Sequence, residues 1–218
     1  MNANNRNKVV YVHIPKCGGT YALNLLYNTN NFNPEHYTLN SYNTKNKIII
    51  TSIRNPISFY ESYYNFLKYP NHKIRNKMTL IVKNYPNIND FLRDLLYKKI
   101  KTNLKLMEMD KYYLNSKNEY GLLTNYVLYF FNYKGNHTEK DIYNFIENLK
   151  KKIKFIKMEN LTNGLLELEK KKQIILHKKH LNKKINKNIK KENITDEYIK
   201  IMIYLKERPI FDLFNYKL

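Results

Sequence analysis

The sequence is poor in the residues that mark several protein classes. Its 218 residues include one cysteine, five glycines and six prolines. A single cysteine excludes a disulfide framework and a metal site built from several cysteines. The low glycine and proline contents exclude collagen-like chains, and no apolar run approaches the roughly 20 residues of a membrane-spanning helix. We therefore expect a globular chain whose length fits one domain over residues 1–218.

Acidic side chains are scarce relative to basic ones. Lys plus Arg number 39 and Asp plus Glu number 18, which gives a formal net charge of +21. Such a charge attracts nucleic acids, anionic glycans and phosphate-bearing cofactors, although heavy use of Lys and Asn codons accounts for part of it. The opening MNANNRNK has no signal-peptide core. By default we expect a cytoplasmic protein without a transmembrane segment, and a lumenal location stays open.

The apolar pattern predicts an α/β fold with a parallel sheet flanked by helices. Short β-branched runs indicate buried strands at Lys8–Ile14, Lys47–Ile53 and Lys152–Met158. Each of the first two is followed by a turn and a helical pattern, which is typical of βα units. The C-terminal half is expected to be rich in helices. The predicted helices are Thr20–Tyr27, Ile57–Tyr69, Ile88–Lys101, Glu119–Asn132, Glu139–Lys151, Asn160–Lys171, Asp196–Lys206 and Ile210–Tyr216. Thr138 is the expected cap of the helix that begins at Glu139, and Thr195 is the expected cap of the helix that begins at Asp196.

The turn after the first strand has the composition of an anion-binding loop. Gly18 and Gly19 stand between a strand and a helix, where backbone amides and the helix dipole favour phosphate or sulfate. Lys16 adds a positive charge and Thr20 a hydroxyl. The loop differs from a Walker A motif because its lysine precedes both glycines. Without further support it could also be a simple strand-to-helix turn.

A second polar turn follows the second strand. Arg54 begins this turn, and Ser62 comes eight residues later on the next helix. An arginine can bind phosphate through two parallel hydrogen bonds, and a serine hydroxyl can donate to the same group. Two anion sites at neighbouring strand ends suit a nucleotide that carries phosphates on both sides of its ribose.

These two segments carry a resemblance to a known family. VHIPKCGGTYALNLL resembles the 5′-phosphosulfate loop of sulfotransferases, and IRNPISFYESYYNFL resembles their 3′-phosphate motif. The similarity is greatest to carbohydrate sulfotransferases of the heparan sulfate 2-O-sulfotransferase group. GLLTNYVLYF, FIKMENL, HLNKK and FDLFNY resemble later family segments more weakly. The resemblance implies a P-loop-like fold, the donor 3′-phosphoadenosine 5′-phosphosulfate and no metal. The implied donor-binding residues are Lys16, Cys17, Gly18, Gly19, Thr20, Tyr21, Arg54 and Ser62.

The implied reaction is transfer of a sulfuryl group to a hydroxyl. Lys16 is the expected catalytic cation, because preorganised donors stabilise charge that develops on the leaving oxygen. His36 is the expected base, since the resembled group carries a catalytic histidine in this region. Glu35, Glu61 and His13 are alternatives, and an exposed loop histidine without a role is another.

The acceptor and the competing functions remain open at this stage. The resembled family modifies glycans, so the expected acceptor is a saccharide hydroxyl, in particular an anionic one. A basic, tyrosine-rich chain could instead bind nucleic acid, which we consider the weaker alternative, or be an inactive nucleotide-binding relative. Cys17 could be a reactive thiol at a helix start, and His177 with His180 could ligate a metal. The lysines at 150–154 and 183–191 could hold an anionic acceptor. The sequence does not indicate the oligomeric state.

Overall fold

The computed structural model of the chain describes residues 8–27, 37–69, 77–102, 105–177 and 191–218. Three strands form here: β1 (Val9–Val12), β2 (Ile48–Ile53) and β3 (Lys154–Lys157). The α-helices are α1 (Gly19–Tyr27), α2 (Pro56–Lys68), α3 (Met78–Val82), α4 (Ile88–Leu96), α5 (Glu108–Asn115), α6 (Leu122–Phe130), α7 (Glu139–Lys152), α8 (Leu161–Lys170), α9 (Glu197–Lys206) and α10 (Arg208–Leu213). Within the described ranges, no helix has the length and apolarity to cross a membrane.

The strands form one small parallel sheet in the order β1-β2-β3. Val9 pairs with Ile48 in the first ladder, and Thr51 pairs with Phe155 in the second. All four residues of β1 and the last four of β2 are buried, which explains why both sequences are nearly continuous apolar runs. The prediction of an α/β chain with a parallel sheet and many helices is therefore confirmed.

The chain divides into two compact units. The first contains Met1–Asn55, Phe130–Lys134 and Asn144–Lys187, and therefore the whole sheet. Its core joins strand residues to the inner faces of α1 and α8. The residues of this core are Val9, Tyr11, Ala22, Leu23, Leu25, Leu26, Ile50, Ile156, Leu161, Leu165, Leu168, Ile174 and Leu176. The expected single domain over residues 1–218 stays a prediction.

The second unit is helical and contains Pro56–Tyr129, Gly135–Tyr143 and Asn188–Leu218. Aromatic rings form much of its core: Phe59 contacts the ring of Tyr126 edge to face, with centroids 6.0 Å apart. The hydroxyls of Tyr63 and Tyr126 donate to the buried Asp110 carboxylate over 3.0 and 2.5 Å. The tyrosine-rich composition thus supplies both apolar area and hydrogen-bond donors to the interior.

A second buried carboxylate, that of Glu207, holds the start of α6. Its Oε1 accepts from the hydroxyl of Tyr60 at 2.7 Å and from the amide of Leu123 at 2.8 Å. Its Oε2 accepts from the amide and the hydroxyl of Thr124 at 2.8 and 2.6 Å. Burial raises the pKa of this carboxyl, while the donated hydrogen bonds lower it in part. Four donors therefore satisfy a fully buried side chain.

The helix boundaries depart from the sequence prediction in a few places. Short helices α3 and α5 were not predicted, because each carries only one or two turns of periodic pattern. The predicted cap Thr195 is wrong: the side chain of Asp196 accepts from the amides of Tyr198 and Ile199. By contrast, Thr138 does accept from the amide of Asp141 at 3.2 Å, as predicted for α7.

Candidate functional site

Three loops leave the sheet at the same edge of the first unit. Because the strands are parallel, the residues after Val12, Ile53 and Lys157 all follow carboxyl ends. Ligands of open α/β sheets bind at this edge. The loops carry Lys16, Arg54 and Glu159, so charged side chains follow every described strand.

The first loop has a tight backbone that requires its glycines. Lys16 and Gly18 both have positive φ angles, 63° and 83°. A Cβ at Gly18 would lie 2.8 Å from Leu161 Cδ2, and one at Gly19 would lie 1.7 Å from His13 Cδ2. Gly18 therefore permits both the turn and its packing, whereas Gly19 makes room for the imidazole of His13. This contact supports a packing role for His13 within the first unit.

Helix α1 begins directly at the glycines. The amide of Ala22 donates to the carbonyl of Gly18 at 3.1 Å, which is the first turn of the helix. The amides of Gly19 and Thr20 precede this first helical hydrogen bond, and amides at such a position bind anions. Thr20 is exposed, whereas the hydroxyl of Tyr21 lies 3.0 Å from Thr162 Oγ1 and ties α1 to α8.

Buried side chains hold the first loop in place through hydrogen bonds. Ser52 Oγ donates to the carbonyl of Cys17 over 2.5 Å, and the hydroxyl of Tyr11 contacts Ser52 Oγ in turn. The Cys17 amide donates to the carbonyl of Ile14. Burial raises the pKa of the Cys17 thiol to about 12, so the thiol stays protonated at neutral pH. Cys17 is thus a packing residue and not the reactive thiol considered from the sequence, and its contact with a donor stays a prediction.

Arg54 reaches the first loop from the end of β2. Its Nη1 donates to the carbonyl of Lys16 at 3.1 Å. Its Nε is buried and has no hydrogen-bond partner among the described residues. A buried N–H without an acceptor costs about 1–3 kcal/mol, so the guanidinium retains a donor that a bound anion can satisfy.

The positive charge of Arg54 acts on the ammonium group of Lys16. Burial, followed by the charge of Arg54, lowers the pKa of Lys16 to about 8. The left-handed backbone at Lys16 adds strain, since a residue with a Cβ pays about 1–2 kcal/mol there. Strained loops with perturbed titrating groups are common at functional sites.

Glu159 completes this edge of the sheet. Its Oε1 accepts from the amide of Asn55 at 2.8 Å, which ties the loop after β3 to the loop after β2. The sequence contained a signal for this residue, since Glu159 follows a predicted strand just as Lys16 and Arg54 do. The sequence alone does not single out Glu159 as a site residue, because one glutamate has no distinctive spacing.

The remaining predicted residues are placed differently. Ser62 lies on α2 in the second unit and is half-buried, so its phosphate contact stays a prediction. Glu61, an alternative base, accepts from the amide of Ile194 at 3.1 Å within the second unit. His36, Glu35 and His180 lie outside the described residues, as do the lysines at 183–190. His177 donates its amide to the carbonyl of Leu25.

The arrangement at the sheet edge has the chemical composition that an anion-binding site requires. Two cations, a left-handed glycine loop and the first amides of a helix occur together in the first unit, with one carboxylate beside them. No protein-family model, curated protein or solved structure matches this chain.

Proposed function

We propose that this protein is a sulfotransferase that uses 3′-phosphoadenosine 5′-phosphosulfate. One observation carries the proposal: Arg54, from the second motif, donates to the Lys16 carbonyl of the first motif at 3.1 Å. Each of these two residues belongs to one of the segments that resemble sulfotransferase motifs. They are 38 residues apart in the chain, yet the hydrogen bond joins the loops that carry them. This proximity is what a ligand with two anionic groups requires.

The residues at this edge fit such a donor. Arg54 keeps a buried N–H without an acceptor in the described part of the chain, and Lys16 carries a charge that burial destabilises. An anion would satisfy the first group and stabilise the second. The donor, when bound, supplies a sulfuryl group on a phosphate that leaves with additional negative charge.

Each residue then has a role that follows from its chemistry. Lys16 and the amides at the start of α1 hold the 5′ end of the nucleotide and stabilise negative charge on the leaving oxygen. Arg54 holds the 3′-phosphate, and the role of Ser62 stays a prediction from the sequence. Glu159 keeps the loop after β2 in place through the Asn55 amide. The P-loop-like character of the sheet is part of this proposal.

The acceptor needs a base to remove its proton. His36 remains the proposed base, on the resemblance alone. Of the alternatives, Glu61 accepts a backbone hydrogen bond and His13 packs on Gly19, so both have structural roles. Glu35 remains the alternative next to His36 in the chain. A saccharide hydroxyl is the proposed acceptor, supported by the resemblance and by the net charge of +21.

Isothermal titration calorimetry with 3′,5′-adenosine bisphosphate tests the donor site. This ligand is the desulfated product, and we expect saturable one-to-one binding in the micromolar range. Adenosine 5′-monophosphate is the matched control, because it lacks only the 3′-phosphate and should bind far more weakly. Equal affinity for both ligands, or no binding of either, would contradict the proposal and favour a general polyanion-binding protein.

An activity assay separates an enzyme from an inactive nucleotide-binding relative. Radiolabelled donor is incubated with a mixture of glycans, and transfer of label to the glycan fraction is counted. We expect transfer that depends on Lys16. Tight bisphosphate binding without transfer to any hydroxyl acceptor would identify the inactive relative.

A further inference from the structure

A groove of about 480 Å³ opens within the second unit. It is lined by Glu108, Lys111, Tyr112, Asn115, Ser116, Lys117, Tyr129 and His137. The first four recur at helical spacing and form one face of α5. This face presents polar and aromatic side chains in place of the apolar residues that would pack into a core. Its composition therefore suits a polar ligand with some apolar surface.

Two tyrosine rings form the apolar part of the groove. The rings of Tyr112 and Tyr129 have centroids 5.5 Å apart and are tilted by 55°. Both residues are half-buried, so part of each ring faces the groove and part is held by packing. Tyrosine rings give large contact areas at a low entropic cost, with a hydroxyl for hydrogen bonding. They are suited to the flat C–H face of a sugar ring.

The polar wall of the groove is held in place by hydrogen bonds. Lys98 Nζ donates to the carbonyl and hydroxyl of Ser116 at 2.8 and 2.7 Å, and to the carbonyl of Asn118 at 2.7 Å. Asn118 and Asn125 exchange two buried amide hydrogen bonds. Asn118 Nδ2 also lies 3.4 Å from His137 Nδ1. A wall fixed in this way loses little freedom when a ligand binds.

The charges of the groove limit the class of ligand. Lys111 is paired with Glu108 at 2.9 Å. Over the described ranges no carboxylate pairs with Lys117, so this side chain supplies one net positive charge. Nucleic acid binding depends on several cations along a backbone path, whereas the pairing of Lys111 with Glu108 leaves Lys117 as a single uncompensated cation in this lining. An oligosaccharide with one anionic group per disaccharide matches this charge better than a nucleic acid does.

We propose that this groove binds an acidic oligosaccharide, with Tyr112 and Tyr129 against sugar rings and Lys117 near a carboxylate. The side-chain amide of Asn115 supplies hydrogen bonds to sugar hydroxyls, whereas the Ser116 hydroxyl donates to the carbonyl of Tyr113 at 2.8 Å and belongs to the fixed wall. The site goes beyond the sulfotransferase function and requires no nucleotide. Bisphosphate binding and saccharide binding are measured separately, so each proposal can fail without the other.

The test is calorimetry of the full chain with a hyaluronan hexasaccharide, which carries one carboxylate per disaccharide. Chitohexaose serves as the neutral probe and hexathymidylate as the nucleic acid probe. The variants are Tyr112→Ala, Lys117→Gln and, as a matched control, Tyr198→Ala, which removes an exposed tyrosine elsewhere on the second unit. Circular dichroism confirms that each variant is folded. Lys117 is exposed, so Lys117→Gln is expected to fold. This variant tests the proposal if Tyr112→Ala unfolds.

We expect Tyr112→Ala to raise the dissociation constant for hyaluronan roughly tenfold, and Tyr198→Ala to leave it within about twofold. Lys117→Gln should weaken hyaluronan binding and leave chitohexaose binding unchanged. The proposal is overturned if Tyr112→Ala and Tyr198→Ala have the same affinity, or if no saccharide binds saturably. Tighter binding of hexathymidylate than of hyaluronan would instead identify a nucleic acid site.

Discussion

The two units differ in how completely hydrogen bonds satisfy a buried charged side chain. In the second unit, Glu207 accepts hydrogen bonds from four donors and Asp110 accepts them from two tyrosine hydroxyls. In the first unit, Arg54 keeps a buried N–H without a partner among the described residues, and Lys16 has a lowered pKa on a left-handed backbone. The carboxylates of the second unit have their donors in place, whereas Arg54 in the first unit retains one unused donor in the described part of the chain.

This difference separates a structural role from a binding role. A buried carboxylate with all its donors in place stabilises the fold, and its loss leaves those donors unsatisfied. A cation that keeps an unused donor costs stability until an anion binds. We therefore expect substitutions at Glu207 to affect unfolding, and substitutions at Arg54 and Lys16 to affect ligands.

The largest expected effect is on stability, from Glu207→Ala. Several buried donors lose their acceptor at about 1–3 kcal/mol each, so the free energy of unfolding should fall by about 3–5 kcal/mol. Urea denaturation followed by circular dichroism measures the change. Glu207→Gln is the matched control, because it keeps one carbonyl acceptor and should lose less. A loss below about 1 kcal/mol for the alanine variant would show that the network contributes little.

Arg54→Ala should weaken binding of 3′,5′-adenosine bisphosphate by about 2–4 kcal/mol, the usual loss for a partly buried charge-assisted contact. Adenosine 5′-phosphosulfate lacks the 3′-phosphate and should be affected far less. Calorimetry with both ligands measures the difference, and urea denaturation should show little change in stability. An equal loss for the two ligands would mean that Arg54 does not hold the 3′-phosphate.

Lys16→Ala should lower turnover more than donor affinity, by about 100-fold in kcat, because charge on the leaving oxygen develops in the transition state. Steady-state kinetics with varied donor separates kcat from KM. Lys16→Arg keeps the positive charge and is the matched control. If only KM rises in the alanine variant, Lys16 is a binding residue without a catalytic role.

The lowered pKa of Lys16 makes bisphosphate binding dependent on pH. Well below pH 8 the ammonium is charged in the free protein, so its titration should leave the affinity unchanged there. Above pH 8 the free protein loses this proton, and affinity should fall by up to about tenfold per pH unit, since the bound anion favours the charged form. Calorimetry from pH 6.5 to 9.5 measures this slope. Lys16→Ala should show a flat profile, and a flat profile in the unmodified protein would contradict the assignment.

The smallest effect concerns backbone strain at Lys16. Lys16→Gly removes both the side chain and the Cβ that a φ of 63° disfavours, whereas Lys16→Ala removes the side chain alone. The glycine variant should therefore be more stable than the alanine variant by about 1 kcal/mol. Urea denaturation of the pair measures it. A glycine variant that is the less stable of the two would show that the loop is not strained at this residue.

Much of the fold was predictable because its signals are local. Apolar runs next to the Gly18–Gly19 and Asn55–Pro56 breaks indicated β1, β2 and the helices after them, and all three strands lie within their predicted ranges. The short helices α3 and α5 were missed, since one or two turns give too few periodic positions for a reliable pattern. Asp196 and Thr195 are both favourable N-cap residues for α9, and the backbone conformation determines that Asp196 is the cap.

The candidate site was predictable in its residue types but not in its geometry. The glycines, Lys16 and Arg54 stood out because anion sites need these side chains after parallel strands. The hydrogen bond from Arg54 to the Lys16 carbonyl, the contact of Gly19 with His13 and the tie from Glu159 to Asn55 could not be predicted. The two hydrogen bonds join segments well separated in the chain, and the contact of Gly19 with His13 depends on how the loop between them folds back.

The sequence by itself determined which segments become strands and helices and which side chains follow the strands, because local periodicity and chain breaks decide those features. The tertiary structure alone decided that Arg54 satisfies a carbonyl with one nitrogen and keeps another unused, and that Glu207 satisfies all four of its donors. Hydrogen-bond satisfaction depends on distances of about 3 Å between residues remote in sequence, and only the packed chain sets those distances.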